Sequence, residues 1–177
     1  GRRTLLAPGS NHISVLQFDE QRITMMRLQP SSRGFEVVAF EESVGPWSAQ
    51  DGSLTAAVKS FAGQHGLVQD RVCTVLPRYE ITVRILELPS HDLAEIAGMI
   101  RLSAEEYVPF PVEELVIDQC VLEKLEDGRS RVLAAFAHRD VVESHLSICK
   151  SAGLHPEAIY LSTTCLAAAV KSANVPG

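Results

Sequence analysis

Glu105-Glu106-Tyr107-Val108-Pro109-Phe110-Pro111-Val112-Glu113-Glu114-Leu115 joins a helical pattern to a strand pattern through two prolines and a phenylalanine. Upstream, Leu93, Ile96, Ala97, Ile100 and Ala104 fall on one helical face. Asp92 and Glu95 open that helix with capping-box spacing. Pro109 is expected to end it, because the residue before a proline is pushed out of the α region. Downstream, residues 115–125 and 131–137 read as two strands joined through Asp127-Gly128, a strong hairpin signal. A strand alternating through Ile81, Val83 and Ile85 precedes the helix. After the hairpin, Asp140 and Glu143 again have capping-box spacing. They start a helix that sets Val141, His145, Ile148, Cys149 and Ala152 on one face and meets Gly153. The order β-α-β-β-α is that of a compact α+β module.

Outside this module the first forty or so residues read as a β-meander: a short strand at residues 4–6, then alternating strands at 12–18, 23–28 and 35–40. Leu54, Ala57, Val58 and Phe61 make a helical stripe that Gly66 is placed to end. Val72-Cys73-Thr74-Val75-Leu76, closed by Pro77, suits a buried central strand. Residues 157–161 form a last strand, followed by a helix capped by Ser162 and Thr163 and running through Cys165, Leu166, Ala169 and Val170. That strand has no place in the module's order, so it is expected to return to the first sheet. The module then interrupts a domain built from residues 1–78 and 154–177, with the insertion at 79–153.

The bulk composition restricts the functions available. The chain has 177 residues and a formal net charge of −6, without a Lys/Arg cluster. Nucleic-acid binding, which depends on phosphate neutralisation, is not expected. The four cysteines, Cys73, Cys120, Cys149 and Cys165, are scattered through apolar patterns, as reduced core thiols are. No secretory signal is present, and no apolar run reaches the roughly 20 residues that span a bilayer. Gly1 reads as an added residue, and the close at Val175-Pro176-Gly177 as the edge of a piece of a larger protein.

Catalytic chemistry finds little support. The six histidines, His12, His65, His91, His138, His145 and His155, lie on separate elements and form no H-x-x-x-H pair. No G-x-S-x-G occurs, and no cysteine stands in a glycine-rich turn. Glu105-Glu106 and Glu113-Glu114 are adjacent in sequence and so diverge in space, as solvated charge does. Gly9-Ser10-Asn11-His12 could cradle a phosphate with backbone N–H groups. It has one glycine and no following lysine, and reads as a plain hairpin. The helices carry acidic or mixed polar faces, unlike interfacial membrane helices. A peptide-binding surface remains. Phe110, held between two prolines, either plugs the module's core or stands outward as apolar area with little ordering cost.

The segment Glu95-Ile96 … Ile100-Arg101 … Ala104 through Glu114 … Asp118 resembles the helix–PFP–strand passage of the PilM family, the actin-like proteins of type IV pilus assembly. Val75-Leu76-Pro77, Val83-Arg84-Ile85-Leu86-Glu87-Leu88-Pro89, residues 132–137 and Ala152-Gly153-Leu154-His155-Pro156 follow in the family's order. The cytoplasmic domain of the type II secretion protein GspL is similar enough to be the alternative. The resemblance implies an FtsA-related fold: a ribonuclease-H-like domain called 1A, interrupted by a small SHS2-type module called 1C.

It further implies a cytoplasmic scaffold at the inner face of the inner membrane. Such a scaffold binds the tail of a PilN-like single-pass protein, and possible further contacts are other pilus platform proteins and copies of itself. Tyr107, Pro109, Phe110 and Pro111 would border the tail-binding groove. In the family's first phosphate loop, aligned on Gly9-Ser10, Ala7 stands where an aspartate belongs and Ser14 where a lysine belongs. The second phosphate loop and adenosine pocket are not within these residues. No cofactor and no enzymatic activity are therefore expected of them. ATP binding, and the alternative reading as an actin-like ATPase, would need the full-length protein.

Overall fold

The computed structural model describes residues 12–32 and 34–161. The expected strand at 4–6, the turn residues Ala7, Gly9 and Ser10, and the helix capped by Ser162 and Thr163 lie outside the described residues.

The meander forms as the alternation predicts. β1 (Ile13–Phe18), β2 (Arg22–Ser31) and β3 (Gly34–Val44) run antiparallel in sequence order, and the latter two are longer than expected. Leu16, Phe18, Ile23 and Met25 point to one side, where α1 (Ser53–His65) packs Leu54, Val58, Phe61 and Ala62 against them. Gly66 ends α1 in the left-handed conformation at φ 67° and donates its N–H to the Ala62 carbonyl. β4 (Arg71–Leu76) then lies parallel to β1, and β8 (Ala158–Leu161) parallel to β4. The sheet order is β3-β2-β1-β4-β8. The last strand thus returns to the first sheet, as its lack of a partner in the module required.

The second unit is built on β5 (Ile81–Leu88), α2 (Leu93–Leu102), β6 (Leu115–Lys124) and β7 (Ser130–His138). Its antiparallel sheet has the order β5-β7-β6. β7 is central, and its Val132, Ala134 and Phe136 meet Ile96 and Ile100 of α2 in a separate core. Burying each of those isoleucines is worth about 1.5–3 kcal/mol. Gly128, at φ 85°, makes the hairpin turn between β6 and β7.

Three expectations need correction. First, α2 ends at Leu102, well before Pro109. Ser103 closes it by donating Oγ–H to the Met99 carbonyl at 3.0 Å, competing with the helical bonds. Second, the capping of both helices is rearranged. Asp92 caps α2, accepting from Ala94 and Glu95 N–H at 2.9 and 3.0 Å, but Glu95 reaches back to the Ser90 hydroxyl, at 2.5 Å. The other helix, α3 (Arg139–Ser151), starts one residue early, and its Asp140 N–H donates to His138 Nδ1 at 3.2 Å. Third, the second unit ends sooner. The chain divides into residues up to Pro77 with those from His145 onward, and residues 78–144. The boundary therefore falls inside α3, because His145, Ile148 and Cys149 bury their side chains in the first unit.

Candidate functional site

The Pro-Phe-Pro corner is held by short-range geometry at both ends. Residues Ala104–Glu106 form a single 3-10 turn that brings the Tyr107 and Val108 N–H groups onto the Ala104 carbonyl. Pro109 cannot continue it. Pro111 is extended at φ −57°, ψ 144°, and its carbonyl accepts from Glu114 N–H at 2.9 Å, closing a second 3-10 turn over Val112–Glu114. Arg139 ties that turn down, donating to the Glu113 and Leu115 carbonyls at 3.2 and 3.4 Å.

The corner sorts its side chains in a way that composition does not show. Ala104, Val108 and Leu115 enter the core. Tyr107 is half-buried and tilted against Phe136, with ring centroids 5.6 Å apart. Pro109, Phe110 and Pro111 face outward. Phe110 keeps 40% of its surface exposed and rests edge-on against the His138 ring at 4.7 Å. Phe110 is therefore not the core plug; Val108 and Leu115 fill that place. The His138 ring is fixed at both nitrogens. Nδ1 accepts the Asp140 N–H, so the proton sits on Nε2, which faces Glu114 Oε2 at 3.3 Å.

Beside the corner lies a groove of about 290 Å³. Its apolar wall comprises Ile81, Val108, Phe110, Leu115, Phe136 and Val141, with His138 and Thr82 supplying polar points and Tyr79 and Glu80 the rim. Tyr79 is 72% exposed. β5, whose first residues line the groove, is an edge strand among the described residues, so one side of it has no neighbouring strand. The exposed charge near the groove is mixed: Glu113 and Glu114 stand with Arg139, and Arg78 bonds the Ile81 carbonyl at 3.1 Å. Groove and edge strand together can hold an extended apolar segment. Of the four residues expected here, the structure brings Phe110 into the groove wall and sets Pro109 and Pro111 beside it, while Tyr107 supports them from the core side. Tyr79, Ile81, His138 and Val141 were not foreseen. They come from four further elements of the chain, the 3-10 turn Arg78–Glu80, β5, β7 and α3, and their convergence depends on strand pairing.

Ser14 is not a loop residue. It lies within β1 with no exposed surface, and its hydroxyl donates to Asp70 Oδ2 at 2.6 Å. Arg27 Nε donates to the same oxygen at 2.7 Å and its NH2 to the His65 carbonyl at 2.7 Å. This buried ion pair holds the sheet to the end of α1. In the turn between β1 and β2, Asp19 Oδ1 accepts from both Gln21 and Arg22 N–H at 2.8 and 2.9 Å.

Other reactive groups are spread out. Among the described residues no three His, Cys, Asp or Glu side chains gather as a metal site would require. His145 is buried, stacked on Phe18 at 4.1 Å and bonded through Nε2 to Thr74 Oγ1 at 2.7 Å. Burial lowers its pKa from 6.5 to about 4. Burial also pushes the Cys149 thiol up to about 11, leaving it unreactive. Cys120, expected in a core, is exposed on β6. No helix among the described residues is long and apolar enough to cross a membrane.

The family model of the type IV pilus assembly protein PilM matches residues 14–175. No curated protein matches the sequence. Among solved structures, one described as a PilM-PilN type IV pilus biogenesis complex is similar with a TM-score of 0.70 and 22% identity, over 84% of this chain and 46% of that one. The cytoplasmic domain of EpsL, an inner-membrane component of the type II secretion system of Vibrio cholerae, gives 0.57 and 17% over 84% and 57%. A Bacteroides thetaiotaomicron protein with an actin-like ATPase fold gives 0.49 and 13% over 89% and 54%. The chain spans about half the length of these structures. Its fold class is the expected mixed α and β one, similar to the PilM and EpsL structures, with an α+β unit set into the first sheet's chain path.

Proposed function

Because the chain belongs to the PilM family of type IV pilus assembly proteins, we propose that it is a non-catalytic adaptor. It captures the cytoplasmic tail of a PilN-like inner-membrane protein in the groove beside the Pro-Phe-Pro corner. The observation that carries this reading is the outward Phe110, seated on His138 at the mouth of an apolar groove bounded by an edge strand. A similar structure is described as a PilM-PilN complex, which supports the choice of partner. The protein then works at the cytoplasmic face of the inner membrane, held there by its partner.

The groove would bind a tail by seating apolar side chains against Phe110, Ile81 and Val141, with added main-chain pairing to β5. The non-catalytic half of the reading rests on the sequence, where Ala7 and Ser14 stand at the positions of the family's aspartate and lysine.

The test is a titration of the full-length protein with the tail peptide of the neighbouring single-pass membrane protein. Saturable binding that Phe110→Ala weakens about tenfold is expected, as for an aromatic anchor. Absence of saturable binding would remove the adaptor reading. In parallel, adding Mg-ATP to the full-length protein should leave its melting temperature unchanged; a concentration-dependent rise would show that nucleotide binds the native state.

A further inference from the structure

The first sheet ends in a strand that is built for a neighbour. β3 runs for 11 residues at the edge of the sheet formed by the described residues. Such an edge leaves a row of backbone N–H and C=O groups unpaired on its outer side. β3 carries no lysine or proline and is long for an edge strand; its edge is marked instead by Glu36, Glu41 and Glu42 and by a register shift opposite Arg27 and Leu28. Its side chains divide cleanly. Phe35, Val37 and Phe40 pair across to Pro30, Leu28 and Met26 of β2 and so share one face. Phe35 is 59% and Phe40 57% exposed, and Met26 beside them is exposed too. Glu36 and Glu41, paired to Gln29 and Met25, lie on the opposite face. Glu42 is engaged by Arg22 at 3.0 Å, whereas Glu36 and Glu41 form no ion pair among the described residues.

The charges decide the occupant. A second copy of the chain, pairing antiparallel through its own β3 in the register that sets Val37 against Phe40, would lay Glu36 of one strand against Glu41 of the other. Like charges directly opposite destabilise a sheet. The strand carries no Lys or Arg of its own to relieve them. A segment alternating apolar and basic residues has the opposite effect. Its apolar side chains continue the Phe35-Val37-Phe40 face, and its cations stand beside Glu36 and Glu41. We propose that β3 is a second docking edge, which accepts by strand addition an extended, alternately apolar and basic segment of a partner protein. The edge lies in the first unit and the tail groove in the second, so the two can be tested separately.

The test titrates the full chain with a synthetic peptide of about ten residues alternating valine and lysine, long enough to pair along the strand. A valine-glutamate peptide of the same length is the comparison, and amide hydrogen exchange is the readout. Saturable binding of the lysine peptide is expected, with exchange slowed along Gly34–Val44. The double variant Glu36→Lys, Glu41→Lys should weaken it about tenfold without moving the thermal midpoint, since both side chains are exposed. Phe40→Lys should weaken it independently. Equal binding of the glutamate peptide, indifference to the double variant, slowed exchange along Ile81–Leu88 instead, or no binding would each overturn the proposal. So would a dimer in sedimentation that Phe40→Lys dissociates.

Discussion

At the scale of single residues, the same side-chain type plays opposite parts according to what surrounds it. Phe110 is exposed on a two-proline frame and stabilises little, so Phe110→Ala should change unfolding free energy by less than about 1 kcal/mol while weakening tail binding. Phe136, buried in the same unit, should cost roughly 3–5 kcal/mol when cut to alanine. Two histidines differ likewise. His138 is a half-exposed support for Phe110. His145 is buried neutral, with its pKa lowered to about 4 by desolvation. Because the folded value lies below the unfolded one, the stability that depends on neutral His145 is complete above pH 6.5 and is lost as pH falls from there toward 4. The full loss is about 3 kcal/mol. Denaturant unfolding at pH 7.5 and at pH 4.5 measures it, and a His145→Gln variant should show a flatter pH profile. Arg27, bonded to buried Asp70, should be worse to lose than any surface arginine: Arg27→Ala strands a buried carboxylate and should cost roughly 3–5 kcal/mol in the same assay. None of these differences is visible in the residue letters. Ser14, read as a loop residue standing where a lysine belongs, proves to be a core-facing partner of Asp70 because β1 continues through it.

Local chemistry determined most of the elements, and where it did, the sequence was a good guide. Asp92 caps α2 by accepting two backbone N–H groups. Asp92→Ala should therefore cost about 1 kcal/mol in thermal or denaturant unfolding. Gly128 holds φ 85° in the β6–β7 turn, a conformation that only glycine adopts without strain, and the Asp-Gly pair announced it. The alternation in β1 and β2, the Gly66 stop of α1 and the central placement of β4 were legible for the same reason: they depend on neighbours within a few residues. The end of α2 was not. Proline is the louder signal, yet Ser103 had already drawn its hydroxyl onto the Met99 carbonyl. The length of β3 was also missed. Its outer half has no core to bury against, so burial periodicity cannot report it.

In the molecule as a whole, two separate cores follow from one interrupted chain. Ile100→Ala should lower stability by about 2–5 kcal/mol. Native-state hydrogen exchange should show the loss concentrated in residues 78–144, with β1 and β4 amides less affected, as expected when each core opens as its own unit. The insertion itself was deducible from sequence, because a strand left over from the β-α-β-β-α order must pair elsewhere. The boundary was not, since α3 carries one continuous apolar stripe, of which Val141 belongs to the second unit while Ile148 and Cys149 are buried in the first core. The sequence by itself determined the elements and the turn chemistry, which rest on contacts between residues close in the chain, and the interruption, which follows from a strand left without a partner in the module's order. Only the tertiary structure decided that Phe110 faces outward, that Tyr79, His138 and Val141 join it around a groove, and that β3 and β5 are edge strands among the described residues. Those outcomes are set by pairing between distant segments, and a strand carries the same side-chain alternation whether its outer edge is filled or empty.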